Sequence, residues 1–531
     1  MTSNSKNTAI GLSLLSGMTG IFSTVINIPI KLFIFGMLGP FNYGLVRIFS
    51  LVDSYITYGE LGSKFGLSRQ IPPLLGNGDN KNAKSIADIA LSWITIISFL
   101  GIFILWAVFY NGYTFEGLLT HNRLVLISVT IFFSSINRYG INYAVGYGIF
   151  KAVGGKRVVG SISSIIMLIP VYFWKTTGAM VGLLLQNVLL FVVIAYFIYK
   201  AGELHISFRF NFRKIIDLLK STGELFTFST LSHLSIHVIA PSLLMMREGV
   251  GNLGLLTFAE DMRKFAQRTM NGAKVVAERK MYVEEGLINQ SDKIDSRYDK
   301  YLGTNFILYL LLNSILLGFT FICYRIITQL FLTEFLPVLG VGLVLVISNM
   351  IFAATAIPIS FLIAKERMKI LNFSVVFWLL LKIVLILSFL SLGYGLMGVA
   401  VAVAISGCIY TTIIIIKSFG EADYSVFYGI WFVLRIILSS IILGFILYVF
   451  MIWSPIILTT DISIGYKLFT AVIWGLPAIL MFIIAAAFLY ILLYYEFSIY
   501  GAIRDNIILL FRKSNKKFKI QRHVMTNNIV I

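Results

Sequence analysis

The chain has 531 residues, of which 58% are hydrophobic and 13% charged, with a formal net charge of +19 and a mean hydropathy of +0.88. Soluble globular domains carry about 25% charged residues. The composition therefore excludes an ordinary soluble enzyme, a disordered chain and a typical nucleic-acid-binding domain. The two cysteines, Cys323 and Cys408, both lie in apolar stretches, which indicates neither a disulfide framework nor a metal site.

Apolar stretches of about 20 residues recur along the chain, and this is the length that an α-helix needs to cross a bilayer. The strands of a membrane β-barrel would instead alternate apolar and polar residues. We therefore predict an all-α polytopic membrane protein with about 14 transmembrane helices, the first of which is retained and not cleaved as a signal peptide. The predicted helices span residues 12–35, 43–61, 86–110, 124–149, 158–174, 178–199, 224–246, 252–275, 302–324, 335–364, 371–392, 396–416, 427–452 and 468–495.

The distribution of lysine and arginine predicts the orientation of these helices. The segments before residue 224 and after residue 275 are both basic, so both are expected in the cytoplasm. Helix 224–246 then needs a returning partner, which only the charged segment 252–275 can supply. The same counting over the other loops predicts that both termini are cytoplasmic, and it explains the net charge without invoking nucleic acid.

A short motif recurs in the two halves of the chain. Segment 39–45, Gly-Pro-Phe-Asn-Tyr-Gly-Leu, shares its two Gly, its Asn and its Leu with segment 249–255, and each precedes an equivalent predicted helix. Six helices per repeat give both halves the same orientation, so we predict a parallel repeat about an axis along the membrane normal, with two additional C-terminal helices. The predicted units are an N-terminal half 1–200, a cytoplasmic linker 201–223, a C-terminal half 224–417, two extra helices 418–503 and a basic cytoplasmic tail 504–531.

Charged and polar side chains within the predicted helices are the candidate functional residues, because charges in a bilayer core usually face an interior cavity. The alternative for residues near helix ends, such as Arg47 and Glu60, is snorkelling to the interface. The candidate substrate-binding residues are Arg47, Arg138, Arg263, Arg268, Lys382, Asn27, His233 and His237. The candidates for ion coupling or gating are Asp53, Glu60, Glu260 and Asp261.

Three of these candidates need separate interpretations. Lys382 lies about 16 Å from the predicted cytoplasmic end of its helix, too deep for easy snorkelling. His233 and His237 share one helix face; contact with a proton or sugar in a cavity, or hydrogen bonding between helices, is favoured over metal binding, because no third ligand is near in sequence. No set of nucleophile, base and orienting residue is evident, so we predict no catalytic site.

The repeat makes Asp53 and Arg263 equivalent positions with opposite charge. Equivalent positions near a pseudo-two-fold axis approach each other, so the two side chains are candidates for a gating ion pair between the halves in one conformation. The alternative is that each packs against a different neighbour.

The motifs Gly39-Pro-Phe-Asn-Tyr-Gly-Leu45, Gly62-Ser-Lys-Phe-Gly-Leu-Ser-Arg69 with Gly76-Asn-Gly-Asp79 beyond it, and Gly254-Leu-Leu-Thr-Phe-Ala-Glu260 together resemble a known family. The chain resembles the polysaccharide transport and O-antigen flippase family, within the multidrug/oligosaccharidyl-lipid/polysaccharide exporter superfamily. The resemblance implies a flippase that moves undecaprenyl-pyrophosphate-linked oligosaccharides across the bacterial plasma membrane for O-antigen, lipopolysaccharide or exopolysaccharide assembly. It implies no cofactor; the expected partners are the lipid-linked substrate, membrane lipids and other polysaccharide-assembly proteins.

Two other functions remain open. A drug or metabolite antiporter of the same superfamily is the nearer one, although a cavity rich in Arg and Lys would repel cationic drugs. A membrane-bound polysaccharide polymerase is the other, and by resemblance it would carry a long external loop. The predicted external loops here are short, the longest being residues 111–123 and 453–467.

Overall fold

A computed structural model describes residues 3–61, 63–111, 120–203, 207–208, 211–288, 306–422, 424–453, 473 and 475–495. Within these ranges the side chains of residues 3–26, 265–288 and a few scattered positions are not described. The described residues form α-helices and two short 3-10 turns, with no β-strand among them. The helices are α1 Ser3–Gly59, α2 Ser63–Gly76, α3 Asn80–Tyr110, α4 His121–Gly146, α5 Phe150–Ile166, α6 Leu168–Lys200, α7 Phe212–His237, α8 Ile239–Ile288, α9 Phe306–Phe331, α10 Leu339–Phe352, α11 Ala356–Ala364, α12 Met368–Ser391, α13 Gly395–Gly420, α14 Val426–Trp453 and α15 Gly475–Tyr495.

Within the described ranges, 11 helical segments are long and apolar enough to cross a membrane. This confirms the predicted class of an all-α polytopic membrane protein. The number of spans is lower than the number predicted from the sequence for a simple reason. Two of the 11 segments, Pro29–Gly59 and Phe226–Lys264, each continue through a break that sequence analysis places between two helices. In addition, α5 and the first residues of α6 together occupy the place of predicted helix 158–174.

Two helix boundaries differ from the predicted ones. Helix α2 was not predicted from the sequence. Its 14 residues are too polar and too few to form a membrane span, which is the only kind of helix that hydropathy detects. Helix α7 begins at Phe212, within the predicted linker, and ends at His237 in the middle of predicted helix 224–246. The chain turns at Val238 and continues as α8.

The glycine-rich segment after α2 is a turn that leads into a helix cap. Gly78 has a positive φ of 77°, which glycine adopts without steric cost. The Asp79 side chain then accepts from the backbone N–H of Asn82, 3.1 Å away, and caps α3. Hydrogen bonds from the side chain and backbone of Asn82 lower the pKa of Asp79.

Both α1 and α8 break at the first glycine of the repeated motif. Gly39 has φ 68° and ψ 173°, and Gly249 has φ 82° and ψ −176°. Residues with a Cβ rarely adopt these angles. The two halves of the sequence therefore share a backbone conformation at this motif, as well as residue identities.

The motif asparagines make the same local hydrogen bond at the two breaks. The Asn42 side-chain amide donates to the carbonyl of Leu38 at 2.9 Å, and that of Asn252 donates to the carbonyl of Glu248 at 3.3 Å. In each case the acceptor is the residue just before the glycine. Each asparagine thus donates a hydrogen bond to a carbonyl that the break in the helix leaves without its usual backbone partner.

The two broken helices cross at the second glycine of the motif. Helices α1 and α8 form the most extensive contact between any two described elements. A Cβ added to Gly44 would overlap the carbonyl oxygen of Val250, and one added to Gly254 would overlap the carbonyl oxygen of Pro40. The crossing therefore requires glycine on both helices. Gly39 divides α1, and Gly249 divides α8, into two arms. We call the place where segments 39–45 and 249–255 meet the glycine end.

Helices α14 and α15 pack against α9 and α10. The ring of Phe482 covers Gly318 of α9, and Gly444 of α14 packs on Ile347 of α10. These helices share the largest hydrophobic core with α8 and α9. The division of the chain into the predicted units remains a prediction.

Candidate functional site: two charged clusters

The first charged cluster joins α1 to α4, and we call it the Arg138 cluster. The guanidinium of Arg138 lies 3.0 Å from the Asp53 carboxylate and 2.9 Å from that of Glu60. Its two terminal nitrogens also donate to the hydroxyls of Ser134 at 2.7 Å and Ser135 at 2.8 Å. The guanidinium of Arg138 is therefore bound by four side chains, two of which are carboxylates.

This geometry changes the interpretation of Arg138. We predicted a substrate-binding role for it, but in this conformation two carboxylates bind its guanidinium. Glu60 is fully buried, so it is not a snorkelling residue at a helix end. Asp53 also lines a cavity of about 150 Å³ whose other walls include Phe49, Met180 and Asn187.

The second charged cluster lies where α1 passes α8, and we call it the α8 cluster. Its members come from two turns of α8 just beyond the glycine crossing and from both arms of α1. They are Lys31, Arg47, Glu260, Asp261, Arg263 and Lys264.

Ion pairs in the α8 cluster run between helices and along α8. Lys31 lies 2.7 Å from Asp261, and Arg47 lies 3.7 Å from Glu260, so each pair links α1 to α8. Lys264 lies 2.8 Å from Glu260 and 3.7 Å from Asp261 along the same helix face. Both carboxylates are thus shared between cations on the two helices.

Arg47 is also anchored to α7. Its guanidinium donates to the backbone carbonyl of His237 at 2.7 Å and to the hydroxyl of Ser50 at 3.2 Å. His237 is the last residue of α7, where carbonyls lack helical partners. Arg47 therefore ties α1 to the end of α7 and to Glu260 of α8, and does not snorkel.

Arg263 differs from the other cations of the cluster. Only 6% of the residue is exposed, and its Nε and Nη2 atoms have no hydrogen-bond partner among the described residues. Buried polar groups are normally hydrogen-bonded, because leaving them unpaired costs free energy. Within the described part of the chain, two donor nitrogens of this buried cation are therefore left for an anion.

Lys382 extends the positive charge from α12. It is 1% exposed, its ammonium donates to the backbone carbonyl of Ser235, and it lies 5.5 Å from the centre of the Trp378 ring. Its charge is close enough to that of Arg263 for the two to repel. Among the described side chains that the ion pairs connect, Lys382 and the four cations of the α8 cluster face two carboxylates, Glu260 and Asp261.

The two histidines take part in contacts between helices. The Nδ1 atom of His233 lies 2.7 Å from the hydroxyl of Tyr58 on α1, and the rings of His233 and His237 lie 4.8 Å apart. Among the described residues, no group of three His, Cys, Asp or Glu side chains could hold a metal ion. For His233, these contacts agree with the alternative of hydrogen bonding between helices.

Two further candidates lie elsewhere. The amide of Asn27 donates to the hydroxyl of Ser161 on α5 at 3.4 Å. The side chain of Arg268 lies outside the described residues. Asp53 and Arg263 do not form an ion pair in this conformation, in which Asp53 binds Arg138; their pairing stays a prediction for another conformation.

The candidate set omitted two residues of the α8 cluster, Lys31 and Lys264. Both carried a signal in the sequence. Lys264 follows Glu260 by one helical turn, the spacing of stabilising helix ion pairs. Lys31 continues a stripe of small polar residues spaced four apart, which includes Asn27.

No protein-family model matches the sequence, and no curated protein matches it. Solved structures do resemble the fold. An inward-facing multidrug resistance MATE family transporter of the MOP superfamily aligns with a TM-score of 0.61 and 15% identity, over 77% of this chain and 98% of the other. The lipid II flippase MurJ in an inward closed conformation aligns with a TM-score of 0.58 and 15% identity, over 88% of this chain and 98% of the other.

An outward-facing MATE family transporter of the MOP superfamily aligns with a TM-score of 0.56 and 17% identity, over 78% of this chain and 96% of the other. The TM-scores establish similarity of fold, and with identities this low the similarity is one of fold alone. The chain therefore has the fold that MATE transporters of the MOP superfamily and the lipid II flippase MurJ share.

Proposed function

We propose that this protein is a membrane flippase for undecaprenyl-pyrophosphate-linked oligosaccharides, which serve O-antigen or exopolysaccharide assembly, and that it performs no covalent chemistry. The observation that carries the proposal is the buried Arg263, whose Nε and Nη2 donors are unpaired among the described residues. It lies in a cluster in which cations outnumber carboxylates.

The chemistry of the substrate fits this cluster. A pyrophosphate cannot enter a bilayer unaided, because its oxygens lose water without replacement. Arginine replaces that water well, since its planar guanidinium binds two phosphate oxygens at once. Lys264 and Lys382 add positive charge beside Arg263, so the cluster suits a group with several negative charges.

The architecture supports alternating access. The glycine crossing and the α8 cluster lie at the contact between the two predicted halves, where rocking of one half against the other would expose the cluster to each side in turn. Under this proposal the protein spans the bacterial plasma membrane with both termini in the cytoplasm, and the lipid tail of the substrate stays in the bilayer.

The fold comparison adds support for a lipid-linked substrate. The alignment with MurJ covers 88% of this chain, whereas that with the inward-facing MATE transporter covers 77%. The likeness to the lipid II flippase thus extends over more of this chain, whereas the TM-score is higher for the MATE transporter, 0.61 against 0.58.

A second candidate function is a drug or metabolite antiporter, and one observation favours it. The cavity beside Asp53 combines a carboxylate with walls that include Phe49, Ile127 and Met180. A carboxylate beside apolar side chains suits an organic cation. The two candidate functions therefore place the substrate at different clusters.

The experiment that separates them measures the binding of two probes to purified protein: a short-chain isoprenyl pyrophosphate and tetraphenylphosphonium. The proposal predicts that the pyrophosphate binds and that Arg263→Ala weakens its binding by about 10- to 100-fold, since hydrogen bonds to charged groups contribute about 1.5–3 kcal/mol. Arg367→Ala, at an exposed ion pair with Glu421, is the matched control and should leave binding unchanged. Binding of tetraphenylphosphonium that Asp53→Asn abolishes, with no binding of the pyrophosphate, would establish the antiporter instead.

A further inference from the structure

Two ion pairs join α1 to α8 directly beyond the glycine crossing. Lys31–Asp261 and Arg47–Glu260 connect the two arms of α1 to adjacent residues of α8. All four side chains lie within about three helical turns of Gly39 or Gly249. The carboxylates are 4–5% exposed, whereas Lys31 is 29% and Arg47 13% exposed, so the pairs are buried on their acidic side.

The carboxylates of both ion pairs, Glu260 and Asp261, also pair with Lys264. Its ammonium lies 2.8 Å from Glu260 and 3.7 Å from Asp261. Lys264 follows Arg263, whose Nε and Nη2 donors are unpaired among the described residues. Glu260 and Asp261 thus occupy, in this conformation, the positions beside these cations that an anionic ligand would take.

We propose that Glu260 and Asp261 are internal counter-ions that the anionic group of the substrate displaces, and that this displacement parts α1 from α8 and opens the protein at the glycine end. The proposal rests on the anionic substrate of the proposed function and adds the device that couples its binding to opening.

Competition favours the substrate at this position. A pyrophosphate carries more charge than a carboxylate and offers several oxygens to each cation. It can first bind Arg263 without breaking an existing pair, and it then repels Glu260 and Asp261. Lys31, Arg47 and Lys264 consequently turn from the carboxylates to the phosphates.

Displacement must widen the contact between the helices. In the bridged state Lys31 and Asp261 are separated by a single ion-pair distance of 2.7 Å. A phosphate bound between Lys31 of α1 and a cation of α8 puts two N–O contacts and the phosphate itself where one direct contact now joins the helices. Because Gly44 and Gly254 pack directly on backbone carbonyls of the opposite helix, the crossing next to the bridges cannot stay closed when they widen.

Spin labels at Asn111 and Leu392 can measure this opening. Both residues are exposed, and they follow α3 and α12, which return to the glycine end in the first and second half of the chain. Cys323 and Cys408 are first replaced by Ser. The distance between the labels is then measured by double electron–electron resonance in proteoliposomes, with and without inorganic pyrophosphate.

The proposal predicts that pyrophosphate shifts the distribution to longer distances, and that Glu260→Gln with Asp261→Asn produces the longer distance without any ligand. Glu421→Gln, which breaks the exposed pair with Arg367, should leave the distance unchanged. Each single substitution is measured as well, because the double variant can fail to fold; either one should then increase the longer population.

The outcomes separate the two proposals. Unchanged distances in the folded variants overturn the counter-ion role, whether or not pyrophosphate binds. Absence of pyrophosphate binding to the unsubstituted protein, measured by calorimetry on the same sample, overturns the anionic substrate. In that case longer distances in the variants still support the two bridges as the contact that closes the glycine end.

Discussion

Gly44 and Gly254 lie at equivalent places in two copies of one motif, and each packs on the backbone of the helix that carries the other. Gly44 contacts the carbonyl of Val250, and Gly254 contacts the carbonyl of Pro40. The contacts are reciprocal under the offset that relates the two copies. The repeated sequence therefore specifies a symmetric crossing of α1 and α8 at the glycine end.

The first prediction concerns this crossing. Gly254→Ala should lower the melting temperature of the detergent-solubilised protein, because the new methyl group overlaps a backbone carbonyl; overpacking of this kind costs about 1–3 kcal/mol. Gly251→Ala is the matched control, since a Cβ there meets no atom within 4 Å. Equal melting temperatures for the two variants would contradict the close crossing.

The second prediction concerns the Arg138 cluster. Arg138→Ala should destabilise the protein by about 3–5 kcal/mol, because it leaves the fully buried Glu60 without its guanidinium. Arg138→Ala combined with Glu60→Gln should recover part of that loss. Unfolding measured by thermal scanning fluorescence gives the comparison. A stable Arg138→Ala variant with weakened pyrophosphate binding would instead support the substrate-binding role expected from the sequence.

The third prediction concerns Lys382 of α12. Lys382→Gln removes a buried charge near Arg263 and should weaken the binding of an isoprenyl pyrophosphate by about 3- to 30-fold, the range of a contact of about 0.7–2 kcal/mol. Lys369→Gln, at an exposed position of the same helix, serves as the control. Equal affinities for the two variants would remove Lys382 from the binding site.

The fourth prediction concerns orientation in the membrane. Cysteines introduced at Asn77 and Lys156 should react only with reagents that reach the cytoplasm, and cysteines at Asn42 and Asn111 only with reagents outside the cell. The physical reason is the concentration of Lys and Arg in the loops assigned to the cytoplasm. Labelling of Asn77 from outside would reverse the assignment of both termini.

Much of the fold could be predicted from the sequence because membrane helices need long apolar stretches. The charged segment from Asn252 onward was placed by the basic loops around it, and the structure confirms a helix there, as the second arm of α8. The sequence suggests an amphipathic interfacial helix over residues 208–219, but not that it is continuous with the membrane helix, because the first turns of α7 are too polar to be recognised as part of a membrane span. The short helix α2 is likewise too polar to be recognised as one.

Most members of the charged clusters could be predicted, although Lys31 and Lys264 were omitted, but their pairing could not. Helical spacing places Asp53 of α1 and Glu60, the residue just after α1, on one face, yet it says nothing of Arg138, which lies on another helix. Symmetry suggested Arg263 as the partner of Asp53. A repeat relates positions and does not specify contacts. In this conformation Asp53 pairs with the nearby Arg138 of α4.

The measurement that tests the central claim most directly is a flipping assay in proteoliposomes with a fluorescent isoprenyl-pyrophosphate-linked oligosaccharide, whose exposure is followed by a membrane-impermeant quencher. We predict that the protein exchanges the lipid between leaflets, that Arg263→Ala reduces the rate at least about tenfold, and that Arg367→Ala leaves it unchanged. Exchange no faster than in protein-free liposomes, or equal rates for the unsubstituted protein and Arg263→Ala, would contradict the account.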